Sequence, residues 1–172
     1  MSQAQSKNMR LIAQHTLDGF GNMGEGMGLQ LAKDGRRIMW LAHESPPKNF
    51  SGVDVSDIKN PKLIAQTVLP HQNVRSNSLE VCGDLLVVAY QTTALGLEPA
   101  GVDIFDISDP ENPKSIGFFD CSGPNSRGVH CVWFVDGEYI HCSGADGNLN
   151  ACEPEKDYQI YQIIDVKDPT AP

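Results

Sequence analysis

The side chains best suited to chemistry lie in three loops of related sequence. They read Gly21-Asn22-Met23-Gly24-Glu25-Gly26, Gln72-Asn73-Val74-Arg75-Ser76-Asn77 and Pro124-Asn125-Ser126-Arg127-Gly128-Val129-His130. Asn22, Asn73 and Asn125 recur at intervals of 51 and 52 residues, and two positions beyond them stand Gly24, Arg75 and Arg127. A guanidinium offers a planar fork of donors that matches a carboxylate or phosphate. Arg75 and Arg127, with the amides of Asn73 and Asn125, are therefore candidate ligands for a small anion. His130 is a candidate general base beside the two arginines. His43, His71 and His130 form a candidate set for a divalent metal, because imidazole is the commonest transition-metal ligand.

Each of these residues also has a plainer role. A recurring asparagine fixes a loop as an Asx-turn or as a left-handed backbone position. An arginine can pair with a carboxylate or carbonyl of a neighbouring loop, and a lone histidine is often a hydrogen-bonded structural group. The chain has no H-x-H or H-E-x-x-H spacing, no G-x-S-x-G elbow, no P-loop and no dinucleotide fingerprint. The D-x-N-x-N run at Asp146, Asn148 and Asn150 lacks the register and the distal glutamate of a calcium loop. The sequence requires no cofactor, and it leaves a divalent metal open.

Composition narrows the partners. A net charge of −9 over 172 residues disfavours a phosphate-backbone binder and adhesion to an anionic membrane. The first seven residues are polar, with no apolar core of a secretory signal. The five cysteines form no C-x-x-C pair, which fits reduced thiols in a cytoplasmic protein.

The loops are set by a repeat of about fifty residues. Asn8 to Gln14 returns as Asn60 to Gln66, 52 residues later, and Gly52 to Ile58 returns as Gly101 to Ile107, 49 residues later. Tyr161 to Val166 is a weaker third copy. A period of this length marks stacked or radial repeats. Each unit reads as four short strands. In unit one these are 27–32, 37–43, 52–58 and 62–69. In unit two they are 78–81, 85–90, 101–107 and 114–120; in unit three, 129–135, 138–143 and 158–166. Turns at Asp34-Gly35, Gly83-Asp84 and Asp136-Gly137 punctuate them, and Asn60-Pro61 and Asp109-Pro110 stop strands. No amphipathic helix is predicted.

Gly101-Val102-Asp103-Ile104-Phe105-Asp106-Ile107-Ser108-Asp109-Pro110-Glu111-Asn112-Pro113 resembles the LVIVD repeat. Tyr161 to Pro172 and Gly52 to Pro61 carry the same pattern, the latter with one proline missing. The resemblance implies a β-propeller and no particular activity; many members are exported or surface-attached, which leaves export open here. Four-stranded antiparallel units in tandem also read as propeller blades in their own right.

The expectation is therefore an all-β fold of about three propeller blades, forming a single partial domain over residues 1–172. A latch strand is expected at 10–17, blade one at 26–69, blade two at 75–120 and an incomplete blade three at 128–172. Three blades are fewer than the four to eight of closed rings, so the chain is expected to be an N-terminal portion of a larger propeller. Open blade faces would invite self-association. The leading function is a binding or interaction scaffold through a loop-lined rim, with a small anionic ligand or a protein as partner. The alternative is a propeller enzyme acting on a small anion, with His130 moving the proton.

Overall fold

Alternating and doubly apolar strands separated by Gly, Pro and Asp turns give an all-β chain with no helix among the described residues. The structure, a computed structural model, describes residues 8–145 and 159–172. Three antiparallel sheets follow one another along the sequence.

Sheet 1 pairs β1 (Met23–Leu31), β2 (Arg37–His43), β3 (Lys48–Asp54) and β4 (Lys62–Val68) in chain order. Sheet 2 holds β5 (Val74–Arg75) and β6 (Leu79–Cys82), both paired with β7 (Leu85–Thr92), followed by β8 (Gly101–Asp106) and β9 (Lys114–Asp120). Sheet 3 pairs β10 (Val129–Trp133), β11 (Tyr139–Gly144) and β12 (Ile160–Asp165). These strands follow the predicted order. The third strand of sheet 1 begins earlier than its sequence suggested, at Lys48, because the pairing Ala42↔Phe50 continues the ladder upstream of Gly52.

The sheets stack face to face. Ile38, Trp40 and Phe50 of sheet 1 pack on Leu79, Leu86, Val88 and Phe105 of sheet 2. Val87, Ala89, Val102 and Ile104 on the other face of sheet 2 pack on Val132, Phe134, Ile140 and Ile164 of sheet 3. The run Leu86-Val87-Val88-Ala89 thus sends alternate side chains into two cores, and all four are fully buried. Edge-to-face rings tie the first junction together, with Trp40–Phe50 at 5.6 Å and Phe50–Phe105 at 4.9 Å. Such pairs contribute about 0.5–1.5 kcal/mol beyond their buried area. Gln30, buried in the same junction, accepts from Trp40 Nε1 at 3.1 Å and donates to the Ile107 carbonyl at 2.9 Å.

The first strands of sheets 1 and 2 approach closely because β1 carries glycines on the shared face. A Cβ on Gly26 would lie 2.2 Å from the Leu79 nitrogen, and one on Gly28 would lie 2.7 Å from Val81 Cγ2.

Residues 10–17, where a latch strand is expected, pair with no strand of these three sheets. They make no ladder; the chain turns at Thr16 to Gly21 through Gly19 N to Thr16 O, 3.0 Å, and Gly21 N to Thr16 O, 3.1 Å. Leu17 is instead buried on Leu41 and Val53, on the outer face of sheet 1. The physical reason is apolar: that face has no neighbouring sheet, and Ile12 to Leu17 line a cleft of about 330 Å³ over it.

Replacing Gly26 with alanine is expected to push β1 from β6 and destabilise the protein by about 1–3 kcal/mol. Urea denaturation reads this as a lower midpoint; an unchanged midpoint would contradict the close approach.

Candidate ligand-binding rim

The loops that lead into β1, β5 and β10 share one rim with the ends of β2 and β7. Isolated bridges His43↔Ser76 and Gln91↔Gly128 stitch sheet 1 to sheet 2 and sheet 2 to sheet 3 there. His43 and Gln91 are the matching residues of β2 and β7, and both are buried.

Gln91 is the centre of the rim. Its Oε1 accepts from Arg75 Nε at 3.2 Å, from Arg75 Nη2 at 2.8 Å and from His130 Nδ1 at 3.0 Å. Since an amide oxygen can only accept, the neutral His130 imidazole carries its proton on Nδ1. Arg75 Nη1 also bonds Glu44 Oε2 at 2.7 Å, across to the β2–β3 loop of sheet 1. Arg127 Nε donates to the Thr92 carbonyl at 3.0 Å, one residue beyond Gln91. Arg75, Arg127 and His130, from two consecutive loops, therefore meet around the end of β7. Arg75 stands neutralised by Glu44, and Arg75 and Arg127 tie one sheet to the next.

The asparagines divide. Asn22 adopts a left-handed φ of 33°, donates through Nδ2 to Ser45 Oγ, and receives His43 Nδ1 on its carbonyl at 3.1 Å. Asn73 accepts Thr93 N on its backbone carbonyl at 2.9 Å. Asn125 sits in the turn closed by Ser126 N to Gly123 O at 3.0 Å. All three shape loops. Asn77, two residues past Arg75, is 1% exposed and neither atom of its side-chain amide has a partner.

The histidines do not converge. His43 is buried, its Nδ1 on the Asn22 carbonyl and its Nε2 on Ser51 Oγ at 2.8 Å, with the Phe20 ring edge-on at 4.7 Å. With both nitrogens bonded inside the sheet, it is not placed to hold a metal. His71 bonds the Glu98 carbonyl at 2.6 Å through Nε2 and receives Asn73 N at 3.0 Å on Nδ1. Among the described residues no three His, Cys, Asp or Glu side chains come together as metal ligands would. Asp146, Asn148 and Asn150 lie outside the described residues.

The opposite rim fixes the true register of the repeat. Asp54, Asp106 and Asp165 each accept the backbone N–H two residues on, from Ser56, Ser108 and Lys167. Asp57, Asp109 and Asp168 do the same for Lys59, Glu111 and Thr170. Hydrogen bonds inside these turns, from Ser56, Asn60, Ser108, Asn112 and Thr170, lower the carboxyl pKa of Asp54, Asp57, Asp106, Asp109 and Asp168 in turn. Sheets 1 and 2 are therefore 52 residues apart, from Asp54 to Asp106, and the interval of 49 that matched Asp54 with Asp103 is corrected. Asp103 instead occupies the place of Ser51.

Two informative residues escaped the sequence reading. Gln91 could have been found as the counterpart of His43 at a strand end. Asp103, 8% exposed, was masked by the three-residue slip in register. No family model matches the chain, and no curated protein matches it. Among the described residues no helix is long and apolar enough to cross a membrane.

Burial holds the His43 imidazolium pKa below its ordinary value. The unfolded chain then binds more protons as pH falls, so His43 favours the fold above the ordinary histidine range and this is lost as pH drops through it. Thermal denaturation from about pH 7.5 to about pH 5.5 should show falling stability. His43→Gln should lower the melting temperature at the upper pH and flatten the slope; an unaltered slope would assign the effect elsewhere.

Proposed function

We propose that this chain is a run of LVIVD-type propeller blades working as a binding scaffold through its polar rim. Three consecutive antiparallel sheets, stacked by their faces with β1, β6 and β10 adjacent, support the propeller reading. So does the shared Asp-x-x-Asp turn that closes each unit. At the rim Arg75, Arg127 and His130 each bond protein atoms that link neighbouring sheets, which gives the scaffold a fixed polar surface. No proton-transfer step is placed on His130.

The observation that carries the propeller reading is the character of the two end faces. Met27, Leu29 and Leu31 on β1 are 58%, 54% and 74% exposed, and Trp133 and Val135 at β10 are 60% and 64% exposed. Tyr161 and Ile163 on β12 join the second face. The face open on sheet 1 is the one that sheet 2 turns toward sheet 1, and that sheet 3 turns toward sheet 2. The face open on sheet 3 is the one that sheets 1 and 2 turn toward the sheet that follows. They are the two halves of one junction, used twice inside the chain and left unmade at its ends. For this chain, a second copy supplies the partner for each open face. Two runs of three give six, within the range of closed rings.

Sedimentation over a dilution series tests this. The chain should associate, and Trp133→Lys with Ile163→Lys should return it to a monomer with unchanged circular dichroism. A monomer at every concentration would overturn the reading.

A further inference from the structure

A second site lies between sheets 1 and 2, at their outer edge and away from the rim. It is a cleft of about 450 Å³. Its apolar walls include Phe105, Phe118, Val68 and Pro99, and its floor is polar.

The floor is one hydrogen-bonded chain. Asn49 Nδ2 donates to Tyr90 Oη at 2.8 Å, Tyr90 Oη donates to Asp103 Oδ2 at 2.9 Å, and Ser115 Oγ donates to Asp103 Oδ1 at 2.7 Å. Because Tyr90 has a single proton and gives it to Asp103, it must accept from Asn49. That fixes the Asn49 amide with its oxygen on the other side. Asn49 is 1% exposed, and its Oδ1 has no partner. Thr67 Oγ1, also buried on the cleft wall, has none either. A native fold seldom leaves such atoms unpaired without a reason.

The repeat sets a hydrogen-bonded polar pair at this place in both sheets, His43 with Ser51 and Tyr90 with Asp103, but only the second pair holds a carboxylate. The place of Asp103 is taken by Ser51 in sheet 1, so the buried carboxylate belongs to one unit only. Its burial also raises its pKa, against the trend of the turn aspartates. A carboxylate with no cationic partner inside an apolar junction is costly even with Tyr90 and Ser115 donating to it.

We propose that this cleft binds a small organic cation, a primary ammonium with a short apolar tail. The cleft carries no lysine or arginine, and Asp103 and Asn49, whose Oδ1 is buried without a partner, are among the residues that line it. An ammonium is donors only. Asn49 Oδ1 and the carboxylate of Asp103 take its N–H groups, and the rings of Phe105 and Phe118 line its tail and favour positive charge nearby. A net charge of −9 draws cations to the surface.

Titration with n-butylammonium chloride, followed by calorimetry or by amide chemical shifts, tests the site, with n-butanol and butyrate as controls. Butylammonium should saturate and perturb Asn49, Thr67 and Ser115, and the controls should bind more weakly. Asp103→Asn should lose about tenfold or more in affinity, and Thr67→Val, which disturbs no bond in the floor, should weaken binding with the fold intact. Affinity should fall as the pH is lowered and Asp103 takes up a proton. Equal binding of butanol and butylammonium would overturn the proposal. So would full affinity in a folded Asp103→Asn protein, or no saturable binding at all. None of these outcomes bears on whether the sheets form a ring.

Discussion

A small sheet whose two faces are both apolar is unstable until each face meets another like it, and that constraint organises this molecule. Sheet 2 satisfies it completely: Leu86 and Val88 go into one core and Val87 and Ala89 into the other. Sheets 1 and 3 satisfy it on one side. What remains open is covered in part at sheet 1, where Leu17 settles on Leu41 and Val53. The segment before β1 thus lies across a face and buries Leu17 there.

The polar features follow from the same stacking. Where first strands crowd together, glycine at positions 26 and 28 lets the backbones meet. Where strand ends reach the rim, the backbone of buried His43 meets Ser76 and the side chain of buried Gln91 accepts from His130, and these bonds to the next loop keep each junction closed. Gln30 does this in the middle of the first junction, binding Trp40 and the Ile107 carbonyl together. On the far rim the aspartates cap their own turns at the surface. Asp103 departs from this order, a carboxyl set inside a junction where the neighbouring unit has a serine.

Much of the fold was legible in the sequence. Strand period, Asp-Gly turns and Asx-Pro stops placed β2, β4 and β9 almost to the residue, because these signals are local. The start of β3 was not legible, since Lys48 to Ser51 joins the ladder only through its neighbour β2. The rim was legible in part. Recurring loop positions brought Arg75, Arg127 and His130 to one place, but Gln91, which gathers them, carries no signal of its own within a strand. The burial of His43 and its two protein partners were not legible, because neither can be inferred from residue type. Asp103 was misplaced by a repeat alignment that followed Gly-Val-Asp instead of the turn aspartates.

The chain has two tryptophans, Trp40 inside the first junction and Trp133 on the open face of sheet 3. With Trp133→Phe as background, Trp40 fluorescence reports the first junction alone. Phe134→Ala would then open a cavity in the second junction, at a cost of about 3–5 kcal/mol. If the sheets stand only by covering one another, urea unfolding followed by Trp40 should shift to lower midpoint by as much as unfolding followed by far-ultraviolet circular dichroism. A Trp40 transition that stays in place while the dichroism splits in two would show that the first two sheets stand without the third, and would contradict the account.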